Sequence, residues 1–232
     1  MIAARIAAVR ERLARAAEGA GRDPADVTLV AVSKTHPADA VREAVAAGLT
    51  EFGENRVQEG EAKAQALEDL RPRIRWHLIG HLQTNKARKA LGFADVVHTV
   101  DSLALAERLD RIAGEMGRTV EALVQVDLAG EATKTGAPPD EAEALVRDAG
   151  AMTHLRLAGL MLMPPYEEDP ERVRPYFRRL RTMRDDLAAR GLLARGELSM
   201  GMSHDLDVAI EEGATIVRVG TAIFGGRQYP TG

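Results

Sequence analysis

The sequence predicts an α/β fold, a single (β/α)8 TIM barrel with an extra N-terminal helix, and three observations lead there. Eight short apolar runs recur along the 232 residues, each followed by a turn and a stretch of helical periodicity. The runs are nearly continuous in apolar residues, as parallel strands covered on both faces require. No Gly-rich dinucleotide fingerprint follows the first run, where an open doubly wound sheet binding a dinucleotide would place it. Closure also removes the exposed edges that the open sheet, the second choice, would leave.

Taken in order, residues 1–20 form an amphipathic helix with Ile2, Ile6, Val9 and Leu13 on one face. Its Arg- and Ala-rich start resembles a transit peptide, but Glu11 and Glu18 argue for a folded helix packed on the barrel. Gly21-Arg22-Asp23-Pro24 makes a turn, and the first strand covers 27–33. A helix follows Pro37 and stops at Gly48. The remaining strands are expected at 50–53, 75–80, 95–100, 121–129, 155–163, 197–203 and 216–220. Between them lie helical stripes such as Leu105, Leu109, Ile112 and Met116, or Val173, Phe177, Leu180 and Leu187. No linker or composition shift interrupts residues 1–232, so one domain is expected, large enough to bury roughly 70% of its unfolded surface.

Composition narrows the function. Lys and Arg total 31 against 35 for Asp and Glu, a net charge of −4 that disfavours a general nucleic-acid binder. Aromatic residues at 3% leave little material for base stacking, and no apolar run reaches the roughly 20 residues of a membrane-spanning helix. Absence of cysteine excludes disulfides, thiol catalysis, zinc-thiolate sites and iron-sulfur clusters, and points to a cytoplasmic protein.

Barrels carry their sites at the carboxyl ends of the strands. There the sequence places Lys34 after the first strand, Glu54 and Asn55 after the second, residues 81–85 after the third, 199–205 around the seventh and 218–221 at the eighth. The chain has five lysines, and Lys34 is the one that leaves an apolar strand, Val30-Ala31-Val32-Ser33. Two readings are open for it: a desolvated amine able to form a Schiff base, or a rim lysine that snorkels to water. Ser199-Met200-Gly201-Met202-Ser203 and Val217-Arg218-Val219-Gly220-Thr221-Ala222 lie where barrels commonly hold a phosphate, with small residues that let backbone N–H groups approach an anion.

Other patterns carry less. Ser203-His204-Asp205 has the letters of a hydrolase triad, but sequence neighbours cannot assemble into nucleophile, base and orienter. His77 and His81 lack a third metal ligand or a Glu-bearing helix motif. Met161 and Met163 read as core or cavity wall, and Arg178-Arg179 as a solvated helix face.

Five blocks together resemble one family. They are Val30-Ala31-Val32-Ser33-Lys34-Thr35, Phe52-Gly53-Glu54-Asn55-Arg56-Val57-Gln58-Glu59, Trp76-His77-Leu78-Ile79-Gly80-His81-Leu82-Gln83-Thr84-Asn85-Lys86, Ser199-Met200-Gly201-Met202-Ser203-His204-Asp205 and Val217-Arg218-Val219-Gly220-Thr221-Ala222-Ile223-Phe224-Gly225. In this order, over residues 30 to 225, they resemble the YggS/PROSC family of pyridoxal phosphate (PLP) homeostasis proteins.

The resemblance implies a barrel like the amino-terminal domain of alanine racemase, with PLP held as a Schiff base on Lys34. It further implies Asn55 beside the cofactor, Ser199, Gly220 and Thr221 on its phosphate, and Arg218 facing the pyridine nitrogen; Met200 and Gly201 join them by proximity. A guanidinium donates but cannot accept a proton, so Arg218 disfavours a protonated ring nitrogen and makes the ring a poor electron sink. Racemisation then remains the chemical option, and racemases of this kind take a second acid/base group from a further carboxyl-terminal domain across a dimer. Here seven residues follow Gly225, so the expectation is a monomeric PLP carrier or regulator that supplies apoenzymes without robust turnover. The alternatives are a small amino-acid racemase using Tyr166 or a nearby His, and a phosphate-binding module without a Schiff base. Lys134 is a candidate second PLP site.

Overall fold

A computed structural model describes residues 1–130, 135–194 and 196–226. The strands are β1 (Thr28–Val32), β2 (Glu51–Glu54), β3 (Arg75–Leu78), β4 (Val96–Val100), β5 (Val120–Gln125), β6 (Leu155–Met161), β7 (Glu197–Met202) and β8 (Ile216–Val219). Each pairs in parallel with its neighbours in sequence, and β8 pairs with β1, so the sheet closes. The helices are α1 (Ile2–Gly19), α2 (Ala38–Ala46), α3 (Val57–Ala66), α4 (Ala87–Leu91), α5 (Leu103–Glu115), α6 (Pro139–Gly150), α7 (Arg174–Ala189), α8 (Leu206–Glu211) and α9 (Thr221–Phe224). This is the (β/α)8 barrel expected, with α1 added before the first strand.

Every expected strand forms, with ends moved by identifiable chemistry. The fifth run stops at Gln125 rather than Ala129, because the Asp127 carboxylate accepts from the N–H groups of Ala129 and Gly130 and turns the chain. The sixth stops at Met161; Met163 precedes Pro164, which lacks a ladder donor and restricts its predecessor. In β4 and β5 every residue is buried, the consequence of strands covered on both faces.

The core lies in two layers. The larger fills the space between barrel and helices and contains the aromatic series Phe52, Trp76 and Phe93, with ring centroids 6.0 and 6.3 Å apart. The inner layer packs Val30, Val96, Leu123, Ala158, Met161 and Ile216 inside the barrel. Helix α1 buries Ile2, Ile6, Val9, Leu13 and Ala17, the expected stripe extended by one turn, against α2, α8 and α9. Its Arg12 reaches the far side of that contact, pairing with Asp207 at 2.6 Å and donating to the carbonyls of Ser203 and His204. In α5 the stripe ends at Ile112 and Ala113, since Met116 caps the helix and is exposed. Arg178 does more than solvate a helix face: with Arg174 and Arg181 it surrounds the buried Glu212 carboxylate.

No helix of the described residues is long and apolar enough to cross a membrane.

Candidate functional site

At the carboxyl ends of the strands a cavity of about 260 Å³ opens. Lys34, Asn55, Arg218, Gly220 and Thr221 line it, so five of the eight residues expected at the site converge on one space. Ser203, His204, Tyr166, Met163 and Met202 complete much of the wall.

The turn bearing Lys34 is fixed on both sides. Before it, the Ser33 hydroxyl donates to Glu54 at 2.6 Å, and the Lys63 ammonium donates to the Ser33 carbonyl at 2.6 Å. After it, Thr35 adopts φ +66° and gives its N–H to Glu59 at 2.5 Å. A β-branched residue in the left-handed region stores strain on the order of 1–3 kcal/mol, so the surrounding bonds must over-determine the turn. Lys63 supplies much of that determination, bonding Glu54 at 2.7 Å and Glu59 at 2.8 Å while only 6% exposed. Burial raises the Glu54 carboxyl above its ordinary range, and the Lys63 charge works against that rise. One residue further, His36 stacks on Phe224 with centroids 5.2 Å apart, tying the Lys34 turn to the end of α9. Burial, with the Lys63 charge behind it, lowers the His36 pKa.

Arg218 comes from the middle of β8 and is 3% exposed. Its Nη1 donates to Ser199 Oγ at 2.6 Å and its Nη2 to the Leu162 carbonyl at 2.9 Å. Burial lowers its pKa to about 10, with Asp205 acting in the opposite sense, so it stays charged near neutrality. The carboxylate of Asp205 itself accepts from the Met202 N–H at 2.6 Å, shaping the turn after β7.

Three expected residues do not reach the cavity. Ser199 is fully buried, paired in register with Ile216 at the start of β8, and its hydroxyl is engaged by Arg218 and His98. Met200 points outward into the core between barrel and helices. Gly201 has φ +91°, and a Cβ there would lie 2.5 Å from Ala209 Cβ, so its smallness serves the packing of α8. Ser203 is the serine that lines the cavity, with its Oγ accepting from the Ala222 N–H at 3.5 Å. Lys134 lies outside the described residues.

The remaining motifs resolve individually. Ser203, His204 and Asp205 each have a separate partner: Ala222, the Glu168 carbonyl and the Met202 N–H. His77 is buried inside the barrel against Glu51 and His98, while His81 stands 3.4 Å from Asp101. Met161 belongs to the inner core, and Met163 to the cavity wall. Reasoning from sequence missed Lys63, Glu59, His98 and Glu51; the i,i+4 spacing of Glu59 and Lys63 was the one signal available.

The model of the family "Alanine racemase, N-terminal domain" matches residues 5–228. The chain is 44% identical over 225 residues to the pyridoxal phosphate homeostasis protein of Aquifex aeolicus, covering 97% of this chain and 98% of that protein. It is 46% identical over 228 residues to the pyridoxal phosphate homeostasis protein of Pseudomonas aeruginosa, covering 98% and 96%. The chain belongs to the pyridoxal phosphate homeostasis protein family. PipY of Synechococcus elongatus has been solved with PLP bound and superposes with a TM-score of 0.86 at 45% identity, covering 97% of this chain and 100% of that chain. An alanine racemase of Clostridium difficile shares the fold at a TM-score of 0.72 and 16% identity, with 57% of its length covered.

Two features of the chain fit the family's ligand. The Asn55 Oδ1 is buried without a partner among the described residues, an acceptor left for a bound group. Gly220 has no side chain to project between β1 and the cavity, where a Cβ would crowd the Val32 carbonyl at 3.2 Å.

Proposed function

We propose that this protein binds pyridoxal 5'-phosphate in the cavity at the carboxyl ends of its strands, holds it as a Schiff base on Lys34, and passes it to apoenzymes. The convergence of Lys34 and Arg218 on one cavity, built from opposite ends of the sequence, carries this reading. When bound, PLP would supply an aldehyde that can condense with a primary amine, losing water, and be released again by hydrolysis, chemistry that suits storage and release. Lys34 supplies that amine from a turn held in place by Ser33, Thr35 and the Lys63 cluster. Gly220 and Thr221, with Ser203, form the wall for the phosphate, and Asn55 offers its side-chain amide beside the ring.

Arg218 donates to the ring nitrogen and has no acceptor to return, which keeps that nitrogen unprotonated and the ring a weak electron sink. This favours holding and transfer over turnover. The protein acts in the cytoplasm as a monomer in this reading, and a single sedimenting species of the chain's mass checks the second point.

The test is the absorption spectrum of the protein with added PLP, followed by borohydride reduction and peptide mapping, in wild type and Lys34→Ala. A yellow species trapped on Lys34 and lost in the variant is expected. Trapping mainly on another lysine, or unchanged binding by Lys34→Ala, would overturn the assignment.

Tyr166 and His204 support a second reading. Their rings lie 5.6 Å apart on the cavity wall, and Tyr166 is 77% exposed, where a second acid/base group for racemisation would stand. Exchange of an amino acid α-proton in deuterated solvent, lost in Tyr166→Phe, would favour it over the carrier reading.

A further inference from the structure

Inside the barrel a continuous row of hydrogen bonds joins its two ends. It begins at Glu51, the first residue of β2, whose Oε2 lies 2.6 Å from His77 Nε2. His77 Nδ1 lies 2.8 Å from His98 Nε2, His98 Nδ1 lies 2.8 Å from Ser199 Oγ, and Ser199 Oγ accepts from Arg218 at 2.6 Å. His77, His98, Ser199 and Arg218 are all buried. The row crosses from β2, β3 and β4 to β7 and β8, and ends on the arginine that faces the cavity.

The direction of every proton in the row is set by its ends. A guanidinium only donates, so Ser199 Oγ accepts from Arg218. The contacts of Ser199 Oγ among the described residues are Arg218 and His98, so its hydroxyl hydrogen goes to His98 Nδ1. His98 then carries its proton on Nε2 and donates to His77 Nδ1, and His77 donates from Nε2 to the Glu51 carboxylate. Two neutral imidazoles of one tautomer thus separate a fixed cation from a carboxylate. Protonating either ring would set two donors face to face, or leave the Ser199 hydroxyl hydrogen without an acceptor.

We propose that Glu51, His77, His98 and Ser199 form a one-directional relay that positions Arg218 from behind, so that a ring nitrogen in the cavity always meets a charged, immobile donor. This rests on the reading of the cavity as the PLP site. The histidines and Ser199 are positioning residues, since each acts on the cavity through Arg218. Burial, with His77, Arg218 and Arg75 acting in the same sense, holds His98 well below its ordinary pKa, which agrees with a neutral ring. Around the relay, Arg75 stands 3.9 Å from Glu51, and Glu121 and Glu197 line the same small cavity of about 40 Å³ that His77 touches at the amino-terminal end. At the other end the charge that acts on Arg218 is Asp205. Arg75 thus stands between the carboxylate that begins the relay and Glu121 of β5.

Two measurements test it. In the unloaded protein, a long-range proton–nitrogen correlation spectrum of 15N-histidine should show His77 and His98 as Nε2–H tautomers, with His98 neutral through neutral pH, and Ser199→Ala should displace the His98 Nδ1 resonance. An Nδ1–H tautomer, or a charged ring near neutrality, would overturn the relay. In the loaded protein, Glu51→Gln removes the terminal charge at the opposite end of the barrel from Lys34 while preserving an acceptor for His77. The pH midpoint of the bound-cofactor absorption should shift by about half a unit or more, with trapping on Lys34 retained. A midpoint equal to that of wild type, in a folded variant, overturns the coupling. Loss of trapping in wild type would sink the cofactor reading instead, and the spectrum of the unloaded protein decides the relay either way.

Discussion

The two ends of the barrel are built on opposite electrostatic rules. At the amino-terminal end, charges are matched close to the surface: Arg75 and Arg156 both pair with Glu121, and Arg71 pairs with Asp95 at 2.6 Å. At the carboxyl-terminal end, buried polar groups outnumber their partners. The buried acceptors left without a partner among the described residues are Glu54 Oε2, Asn55 Oδ1 and Gln125 Oε1, each at or just after the end of a strand. Thr35, the one non-glycine residue with positive φ among those described, sits at that end as well. Unsatisfied acceptors and strain cost stability, and their concentration on one rim marks where the fold gives up stability to hold a ligand. The other rim satisfies its groups and stabilises the barrel.

Breaking the Lys63 cluster should have the largest effect on folding. Lys63→Met leaves Glu54 and Glu59 without their shared cation and should cost about 3–5 kcal/mol, lowering Tm by roughly 6–20 °C in a thermal melt. Adding Glu54→Gln should recover much of that loss. The pH dependence has a definite sign. Glu54 already has a raised pKa in the folded protein, so its contribution to stability falls as pH rises from the ordinary glutamate value, about 4.3, through the raised one. Without Lys63 the rise grows, and the variant's Tm deficit should shrink on acidification from about pH 8 to pH 5. A deficit independent of pH would mean that Glu54 is not the group left exposed to the loss.

Next in size is a change confined to the other rim. Glu121→Gln removes a mostly buried carboxylate held by two arginines, and should destabilise by about 1–3 kcal/mol. The PLP dissociation constant should stay within about twofold of wild type, which an equilibrium absorption titration would read. A large loss of affinity would show that the two rims are less separate than their chemistry suggests.

Ser203→Ala sharpens the comparison at the ligand end. Removing one hydroxyl from the cavity wall should weaken PLP binding by roughly 3- to 10-fold with little change in Tm. Stronger weakening by Ser199→Ala than by Ser203→Ala would assign the phosphate role to Ser199, as the family resemblance implies.

The smallest effect concerns neither rim. Three arginines lower the Glu212 pKa against the opposing effect of burial. The stability it contributes is complete above the ordinary glutamate range and is lost as pH falls below it, toward the lowered folded value. Added salt should weaken this acid-sensitive contribution, since the arginines are partly exposed, and acid melts at two ionic strengths would measure it.

Much of the site is legible in the sequence because barrel strands advertise their carboxyl ends: Lys34, Asn55, Gly220 and Thr221 stand just beyond a strand end and Arg218 one residue before one, and all reach the cavity. Ser199 lies deeper than the residue pattern suggests, for a physical reason. Alternation along a strand tells which way a side chain faces, not how deep it lies along the barrel axis. Depth depends on register, and the β7–β8 pairing slips from Ser199 opposite Ile216 to Met202 opposite Arg218, an irregularity no residue pattern announces. That slip puts Ser199 below Arg218 and Ser203 beside the cavity.

Residue order alone was enough for the class of fold, the closure into eight strands, the helix that precedes them and the lysine at the first strand end. Those features rest on local periodicity and on residue types with narrow conformational preferences, which short stretches of chain express independently. Which buried groups share protons was left to the assembled barrel. Lys63 meets Glu54 and Ser33 across 9 and 30 residues, and His98 meets Ser199 across 101. Such contacts cost too much chain entropy to form before the barrel closes, so local sequence leaves no trace of them until closure brings the strands together.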